Sequence, residues 1–343
     1  MELRVALIIP SLLERGPNIV AWSIVEALKE KLHFEVFYLD EIGDLKFGCK
    51  THKISLFKPV DFSGFHIVHS HMLRPDIYSW LYVKNALVVQ VSTIHQYIFD
   101  NLSDTNGKLV SNLVGRFWIW VLSSFPVLTT INRHMVDYYR TFIQKSKIVP
   151  IYNGVAKPAK EVLKSVNLPK DKKIIVSNSL LIKRKGIDLL LQALQGLNDF
   201  HLLIIGDGEE RAHLENLAVQ LDIKHRVSFA GFISDSSKYI SCASVFVMPS
   251  RSEGFGLAIA EAAACEIPIV ATDIPSFREM FSEDEVFFFE PENVSSLQQA
   301  ILIAEKEGKQ NAAKAYKKWE CKFSNLVFAQ NWLDFYQHIR RND

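Results

Sequence analysis

The chain has 343 residues, of which 48% are hydrophobic and 22% charged, and its formal net charge at pH 7 is +1. This length leaves room for two domains of ordinary size, and the composition is typical of a globular protein. The balanced charge argues against a nucleic-acid-binding protein, because no stretch of Lys and Arg is dense enough to follow a phosphate backbone. The four cysteines are scattered and no apolar run approaches the roughly 20 residues of a membrane span, so we expect a protein of the reducing cytoplasm.

The first half of the chain alternates predicted strands and helices. Residues 3–9 are apolar throughout, which predicts a buried parallel strand; a loop with Gly16 and Pro17 and a helix over 19–31 follow. A further strand with the sequence FEVFYLD comes next. This order predicts a doubly wound α/β domain, in which ligands bind at the carboxyl ends of the strands.

Three histidines lie at the ends of two further predicted strands. His69 and His71 share one face of the strand over 65–71, because side chains alternate along a strand. A metal site would need a third ligand, which the neighbouring sequence does not supply, so structural histidines are favoured. His95 ends the strand over 87–95, where a ligand-facing loop should begin.

A helix is predicted over residues 108–124, and its sequence is apolar on almost every side. Such a helix is either buried or lies at an interface with lipid. Burial is favoured. The alternative is a peripheral contact with the membrane through Phe117, Trp118 and Trp120.

The second half repeats the α/β pattern after a linker. Residues 156–173 hold prolines and many lysines, as linkers do, and strands and helices alternate again from there. The segment over 325–340 is amphipathic and aromatic, which predicts a final helix with one apolar face.

The clearest chemical pattern is the stretch SRSEGFGLAIAEAAA over residues 250–264. Glu253 precedes the turn Gly254-Phe255-Gly256, and a run of strong helix formers begins at Leu257 and contains Glu261. The glycines allow backbone N–H groups to turn outward, and the start of a helix adds unpaired N–H groups with a partial positive charge. The helix rises about 6 Å from Leu257 to Glu261, close to the distance from a bound phosphate to a ribose. The pattern therefore predicts a phosphate site between two carboxylates.

Glu253 and Glu261, with seven residues between them, resemble the two-glutamate signature of retaining GT-B glycosyltransferases, a family that includes many bacterial polysaccharide and lipopolysaccharide transferases. The resemblance implies an α/β GT-B fold, in which two doubly wound Rossmann-like domains face each other across a cleft. Residues 1–157 would form the acceptor-side domain and residues 158–322 the nucleotide-sugar domain. Residues 323–343 would form a helix that returns to the first domain.

The resemblance also implies roles for the residues of the donor site. Glu253 would bind sugar hydroxyls and Glu261 the ribose, while the backbone from Gly254 through Phe255 and Gly256 to Leu257 would hold the diphosphate. The base would lie against the backbone of Gly231 and Phe232.

Three further positions match the family pattern. Lys185 stands at the place of the phosphate-binding lysine, and His95 at the place of a histidine that faces the donor sugar. Gly16 lies in the first glycine loop, near the diphosphate. The expected catalytic residues are accordingly Glu253, Lys185 and His95.

The arginine that accompanies the phosphate-binding lysine in the family is missing, because its position falls on Ser179 or Leu180. If the loop before Lys185 is extended, Lys183 points the same way as Lys185 and Arg184 points away. We therefore expect Lys183 to supply the second positive charge at the donor phosphates, and Arg184 to be solvated.

The implied activity is the transfer of a hexose-type sugar, with retention of configuration, from a nucleotide-diphosphate sugar to a glycan or lipid-linked acceptor. UDP is favoured over GDP, and bacterial surface polysaccharide synthesis is the expected setting. The chain has no Asp-x-Asp triplet, so neither a metal nor a cofactor is expected. The enzyme would work in the cytoplasm, with the inner face of the membrane as one location.

Two other classes of protein remain as alternatives. A nicotinamide-dependent oxidoreductase could use the GDGEER stretch over 206–211, but its third glycine is replaced by Arg211 and the next strand does not end in an acid. A tight turn between strand and helix explains that stretch more simply. The other alternative is a non-catalytic two-domain protein that binds nucleotides.

Overall fold

The computed structural model describes residues 2–158, 168–233 and 235–341, without the side chains of residues 104–106 and 341. The chain divides into two compact units, one formed by residues 1–154 with 325–343 and the other by residues 155–324. The sequence placed these boundaries after residues 157 and 322. Residues 159–167 of the predicted linker lie outside the described residues.

In the described part of the chain, the first unit is built on a parallel sheet of seven strands. Its strands are β1 (Arg4–Ser11), β2 (His33–Asp40), β3 (Lys50–Lys53), β4 (Ile67–His71), β5 (Val89–Ile94), β6 (Val127–Thr130) and β7 (Lys147–Pro150). Its first helices are α1 (Gly16–Leu28), α2 (Leu73–Tyr82), α3 (Ile98–Leu122) and α4 (Arg133–Arg140).

The described residues of the second unit form a parallel sheet of six strands. Its strands are β8 (Lys173–Asn178), β9 (Phe200–Ile205), β10 (Val227–Phe229), β11 (Val245–Met248), β12 (Ile269–Thr272) and β13 (Phe287–Phe289). Its helices are α5 (Ile187–Leu194), α6 (Arg211–Gln220), α7 (Ser237–Ile240), α8 (Leu257–Ala264), α9 (Pro275–Met280), α10 (Val294–Glu307) and α11 (Lys309–Lys322), with 3-10 turns at Lys183–Lys185 and Lys224–Arg226. The final helix, α12 (Asn325–Arg341), belongs to the first unit.

Both sheets have the doubly wound strand order. The first reads β3-β2-β1-β4-β5-β6-β7 and the second β10-β9-β8-β11-β12-β13, so in each the order reverses beside the first strand of the unit. In open sheets of this kind, ligands bind outside the carboxyl ends of the strands at the reversal. The reversal lies between β1 and β4 in the first unit and between β8 and β11 in the second.

Apolar side chains cover both faces of the first sheet. One cluster joins the strands to α1 and to Trp332 and Tyr336 of α12, and the other contains Phe37, Phe62 and Tyr78. Every residue of β4 is buried, which explains why this strand shows no alternation of polar and apolar positions. The predicted final helix therefore completes the core of the first unit.

Helix α3 is neither buried nor exposed on all sides. It begins ten residues before the predicted start and contains a break at Gly107. Trp118 is only 3% exposed, and its Nε1 donates a hydrogen bond of 2.7 Å to buried Asp76, whereas Phe117 and Trp120 are 42% and 56% exposed. The helix is thus buried along one face and exposed along another, and the expectation that Trp118 meets lipid is wrong. None of the described helices is long and apolar enough to cross a membrane.

Candidate active site

Two loops meet at the reversal point of the second sheet, one after β8 and the other after β11. Gly186 follows the 3-10 turn of the first loop with a φ of +65°, and a Cβ atom there would lie 2.0 Å from the carbonyl oxygen of Pro249. Only glycine permits this approach. The backbone N–H of Arg251 also donates to the carbonyl of Arg184 at 2.8 Å. The two loops therefore form one continuous surface.

Glu253 is the charged centre of this surface, and it is only 7% exposed. Its Oε1 accepts a hydrogen bond from the Lys185 ammonium and another of 3.0 Å from the Ser250 hydroxyl, and its Oε2 lies 3.6 Å from Nη1 of Arg184. Burial by itself would raise the pKa of Glu253, but the two cations and the hydrogen bonds reverse that effect and hold the pKa below its ordinary value. Glu253 is therefore an anion at neutral pH and accepts hydrogen bonds.

The arrangement of the three basic residues differs from the expected one. Lys183 to Lys185 form a 3-10 turn and not an extended loop, so residues two apart point in different directions. The Lys183 side chain is exposed, whereas Arg184 donates 2.6 Å from Nη1 to the carbonyl of Ser252 and lies next to Glu253. The premise of an extended loop is wrong, and so is the expectation that Arg184 is solvated. The role of Lys183 at the donor phosphates stays a prediction.

Arg251 holds the two loops together, and no pattern in the sequence indicated this role. Its guanidinium binds Asp188 of α5 through two hydrogen bonds of 2.9 and 2.8 Å and Glu292 through two of 2.7 and 3.0 Å, and it also donates to the carbonyl of Lys183. Such paired bonds between arginine and carboxylate fix orientation as well as distance. Arg251 thereby fixes the turn that carries Arg184 and Lys185.

Glu261 lies on α8 and is tied to the end of β8. Its Oε2 accepts hydrogen bonds from the Ser236 hydroxyl at 3.1 Å and the Asn178 amide at 3.2 Å. Among the described residues, Oε1 of Glu261 accepts none. Burial raises the pKa of Glu261, and the two hydrogen bonds only partly offset this effect. One oxygen of the side chain is therefore anchored, and the other remains for a ligand.

The glycine turn leads directly into α8. Gly254 is followed by Phe255, which is buried and packs its ring edge-on against Phe323 at 5.6 Å. Gly256 has a φ of +79° and stands before Leu257, the first residue of α8, and no side chain caps the helix. The N–H of Ile259 donates to the carbonyl of Gly256 at 3.1 Å. The start of α8 thus has no side-chain cap, and a phosphate site there stays a prediction.

The residues expected near the base lie after β9 and β10. The N–H of Gly206 donates to the carbonyl of Gly231 at 2.8 Å. Phe232, which follows Gly231, is 65% exposed. Gly206 belongs to the GDGEER stretch, which forms a tight turn between β9 and α6.

Gly16 and His95 belong to the first unit. Gly16 begins α1, and a Cβ atom there would meet nothing within 4 Å, so its surroundings do not require glycine. His95 follows β5, and its Nε2 lies 2.9 Å from Nδ1 of His71. Both nitrogens of His69 are bonded, one to Tyr336 and one to Thr93, each at 2.7 Å. No group of three or more His, Cys, Asp or Glu among the described residues could hold a metal ion.

Comparisons with known proteins agree with this architecture. The model of glycosyl transferases group 1 matches residues 159–319, and that of glycosyltransferase family 4 matches residues 51–157. The O-antigen biosynthesis glycosyltransferase WclY of Escherichia coli is 31% identical and aligns over 99% of this chain and 99% of its own length. Among solved structures, sucrose-phosphate synthase from Thermosynechococcus elongatus has a TM-score of 0.85 at 19% identity, with both chains fully covered. Anabaena HepE in complex with UDP and glucose has a TM-score of 0.82 at 15% identity over 98% of this chain and 100% of its own.

The chain therefore belongs to the group 1 glycosyltransferases and has the GT-B fold. This membership confirms the predicted fold class and a glycosyltransferase of group 1, and it sets aside the nicotinamide-dependent oxidoreductase and the non-catalytic nucleotide-binding protein. The retaining mechanism and the roles of the two glutamates stay predictions.

The opposite pKa shifts of the two glutamates predict opposite effects of pH on stability. The pKa of Glu253 in the folded protein lies below the ordinary 4.5, so its contribution to stability is present above about pH 4.5 and is lost as the pH falls through the folded value. The pKa of Glu261 lies above 4.5, so its contribution is greatest below about pH 4.5 and is lost as the pH rises through the folded value. As the pH rises towards about 4.5, the free energy of unfolding of the wild type minus that of Glu253→Gln should increase and then level off. As the pH rises above about 4.5, the same difference for Glu261→Gln should decrease.

Urea unfolding at several pH values measures both trends. Glu209 is exposed on the same unit, so Glu209→Gln is the matched control and should show neither trend. Trends of the same sign for Glu253→Gln and Glu261→Gln would contradict the assignment.

Proposed function

We propose that this glycosyltransferase moves a hexose-type sugar, with retention of configuration, from a nucleotide-diphosphate sugar to a glycan or lipid-linked acceptor in bacterial surface polysaccharide synthesis. UDP is the favoured nucleotide. The observation that carries the proposal is the buried Glu253 carboxylate between Lys185 and Arg184 at the reversal of the second sheet. The O-antigen role in the name of WclY supports the setting, and the UDP bound by HepE supports the nucleotide.

The basic side chains stabilise the leaving diphosphate. An ammonium group has three N–H donors, and among the described residues Glu253 takes one of those of Lys185. Arg184 adds a second cation, so the cluster keeps an excess of positive charge beside Glu253. Together with the N–H groups at the start of α8, these fixed donors face the place where negative charge develops, which is the largest effect in such chemistry.

The two glutamates bind different parts of the donor. Ionised Glu253 accepts hydrogen bonds from sugar hydroxyls, and the free oxygen of Glu261 accepts one from the ribose. The bond between the anomeric carbon and the diphosphate oxygen breaks while the acceptor oxygen bonds to the same face of the sugar. The proton of the acceptor passes to the departing phosphate oxygen, so no protein base is required and the products are the glycoside and the nucleoside diphosphate.

The stereochemistry of the product tests the mechanism. After a panel of nucleotide sugars has identified the donor by thermal stabilisation, NMR of the product should show the anomeric configuration of the donor. Turnover should persist in EDTA. Inversion of configuration, or loss of turnover in EDTA that manganese restores, would refute the proposal.

Substitutions in the KRK turn test the roles of the two cations. Lys185→Ala should lower kcat by about 10²–10³, as expected when a fixed donor to the leaving group is lost. Arg184→Met should lower it by about tenfold or more, because a hydrogen bond to a charged group contributes roughly 1.5–3 kcal/mol. Lys183→Met is the matched control, since Lys183 is exposed and adjacent, and should keep wild-type turnover. The reverse order of Arg184 and Lys183 would show that the exposed lysine is the second cation.

We also propose that the exposed face of α3 contacts the surface of an anionic membrane. Leu109, Leu113, Phe117 and Trp120 follow one another at intervals of three or four residues and are each 42% exposed or more. Such intervals place them on one face of the helix. That apolar face can enter the interface of a bilayer while the helix lies along its surface.

The charges around this face fit anionic lipid. No Asp or Glu occurs between residues 105 and 136, whereas Lys108 and Arg116 lie on the helix itself. Trp120 packs against Trp80 at 5.0 Å, and the Lys84 ammonium lies 5.5 Å above the Trp80 ring. Aromatic rings with adjacent cations are typical of protein segments at the headgroup level.

Flotation with vesicles tests this contact. The wild type should float at low salt with vesicles of phosphatidylcholine and phosphatidylglycerol, and less with phosphatidylcholine alone. Phe117→Ser with Trp120→Ser should lose most of the binding. Phe57→Ser is the matched control, because Phe57 is 85% exposed elsewhere on the same unit. Equal loss in the control, or a wild type that stays unbound, would contradict the contact.

A further inference from the structure

In the described part of the chain, buried His71 has a hydrogen-bond partner at only one of its two ring nitrogens. It is fully buried, its Nδ1 lies 2.9 Å from Nε2 of His95, and its Nε2 has no partner among the described residues. Its ring lies between those of His69 and His95, with centroids 4.3 and 5.2 Å away. His69, by contrast, is bonded at both nitrogens. The unpartnered nitrogen of His71 limits where the protons of this pair can be.

Burial lowers the pKa of His71 well below its ordinary range and that of His95 to about 3, so both rings are neutral at pH 7. A neutral imidazole has one N–H group and one acceptor nitrogen. The bond between the rings therefore contains one proton, which belongs either to His71 or to His95.

The two arrangements differ at Nε2 of His71. If His95 donates, Nε2 of His71 must carry a proton that no buried acceptor receives. If His71 donates from Nδ1, its Nε2 is an unpaired acceptor. Donation from His71 is the arrangement that leaves no buried N–H group of the pair without an acceptor, so His71 is the expected donor.

This arrangement determines the proton of His95. Because Nε2 of His95 accepts from His71, its single proton lies on Nδ1. No described residue is hydrogen-bonded to that nitrogen, so His95 offers one N–H donor to a ligand.

We propose that His71 is a positioning residue, which holds His95 in the Nδ1–H form so that His95 donates a hydrogen bond to an oxygen of a bound substrate. The proposal rests on the proposed function in one respect, namely that His95 contacts a substrate. Without His71, the ring of His95 exchanges its proton between the two nitrogens and offers the donor for only part of the time.

The backbone after His71 supports a ligand site at this end of β4. Met72 has a φ of 77° and a ψ of 163°, a conformation that is essentially confined to glycine. It is held by α2, where the N–H of Asp76 donates to the Met72 carbonyl at 3.0 Å. Backbone strain of this kind persists where the surrounding structure enforces it, and it is concentrated at ligand-binding and catalytic sites.

Two substitutions of His71 separate hydrogen bonding from packing. In His71→Asn the side-chain amide can take the place of Nδ1–H and still donate to His95, whereas His71→Leu fills a similar volume without a donor. NMR of protein labelled with ¹⁵N-histidine reports which nitrogen of His95 is protonated, and His95→Gln identifies its signals. The wild type and His71→Asn should show the proton on Nδ1, and His71→Leu should show a shift towards Nε2.

Kinetics supply the second readout. His71→Leu should lower kcat by about tenfold, the effect of one neutral hydrogen bond, while the Kd for UDP stays unchanged. His71→Asn should restore most of the loss. A folded His71→Leu variant with wild-type tautomer and kcat would overturn the proposal. So would a wild-type spectrum with the proton of His95 on Nε2, which tests the assignment even where a variant fails to fold.

The two proposals fail in different ways. A wild type that has the expected tautomer but transfers no sugar from any nucleotide sugar would overturn the proposed function and the contact with substrate, and would leave the tautomer of His95 established.

Discussion

A buried carboxylate between two cations is the constraint on which the rest of the second unit depends. An ionised glutamate as buried as Glu253 loses hydration worth several kcal/mol and stays charged only if counter-charges replace the water. Lys185 and Arg184 supply those charges, and they must be held close to each other despite their mutual repulsion. The glycine that lets the KRK turn approach Pro249 and the double clamp of Arg251 both serve this requirement. The loop after β8 therefore holds the two cations that the ionised glutamate of the loop after β11 requires.

The two glutamates of the signature, Glu253 and Glu261, lie in different electrostatic environments. Glu253 faces cations and is held ionised, whereas Glu261 is half-buried and faces the neutral donors Asn178 and Ser236. The free energy of charging a carboxylate depends on what replaces the water around it. Eight residues along the chain are enough to move a glutamate from one environment to the other, because one lies in a loop and the other on a helix against β8.

Features that are local in sequence could be predicted, and features that depend on distant contacts could not. The parallel strands are buried on both faces, so they appear as continuous apolar runs, and the glycine turn and α8 are contiguous with Glu253. Arg251, by contrast, meets partners 63 and 41 residues away, and nothing in its own surroundings distinguishes it from a solvated arginine. The surroundings of Lys183 and Arg184 were not predicted because the direction of a side chain follows from the turn type, and KRKG fits an extended loop as well as a 3-10 turn.

The surroundings of Trp118 and Trp120 on α3 likewise depend on contacts that the sequence does not show. Their spacing indicates that they point to different sides, but only the partner of each side chain decides which side is the core. The tautomer proposed for His95 was equally beyond the sequence, because it depends on a nitrogen of His71 that has no partner among the described residues.

The position of α12 has a consequence for biosynthesis. Trp332 and Tyr336 complete the core of the first unit, yet they are translated after the whole of the second unit. The domain whose strands leave the ribosome first thus cannot finish packing until the last segment of the chain emerges, while the second unit has all of its own residues earlier. During synthesis, the incomplete sheet exposes the apolar surface that α12 will cover. The core of the first unit is therefore complete only after the residues of the second unit have been translated.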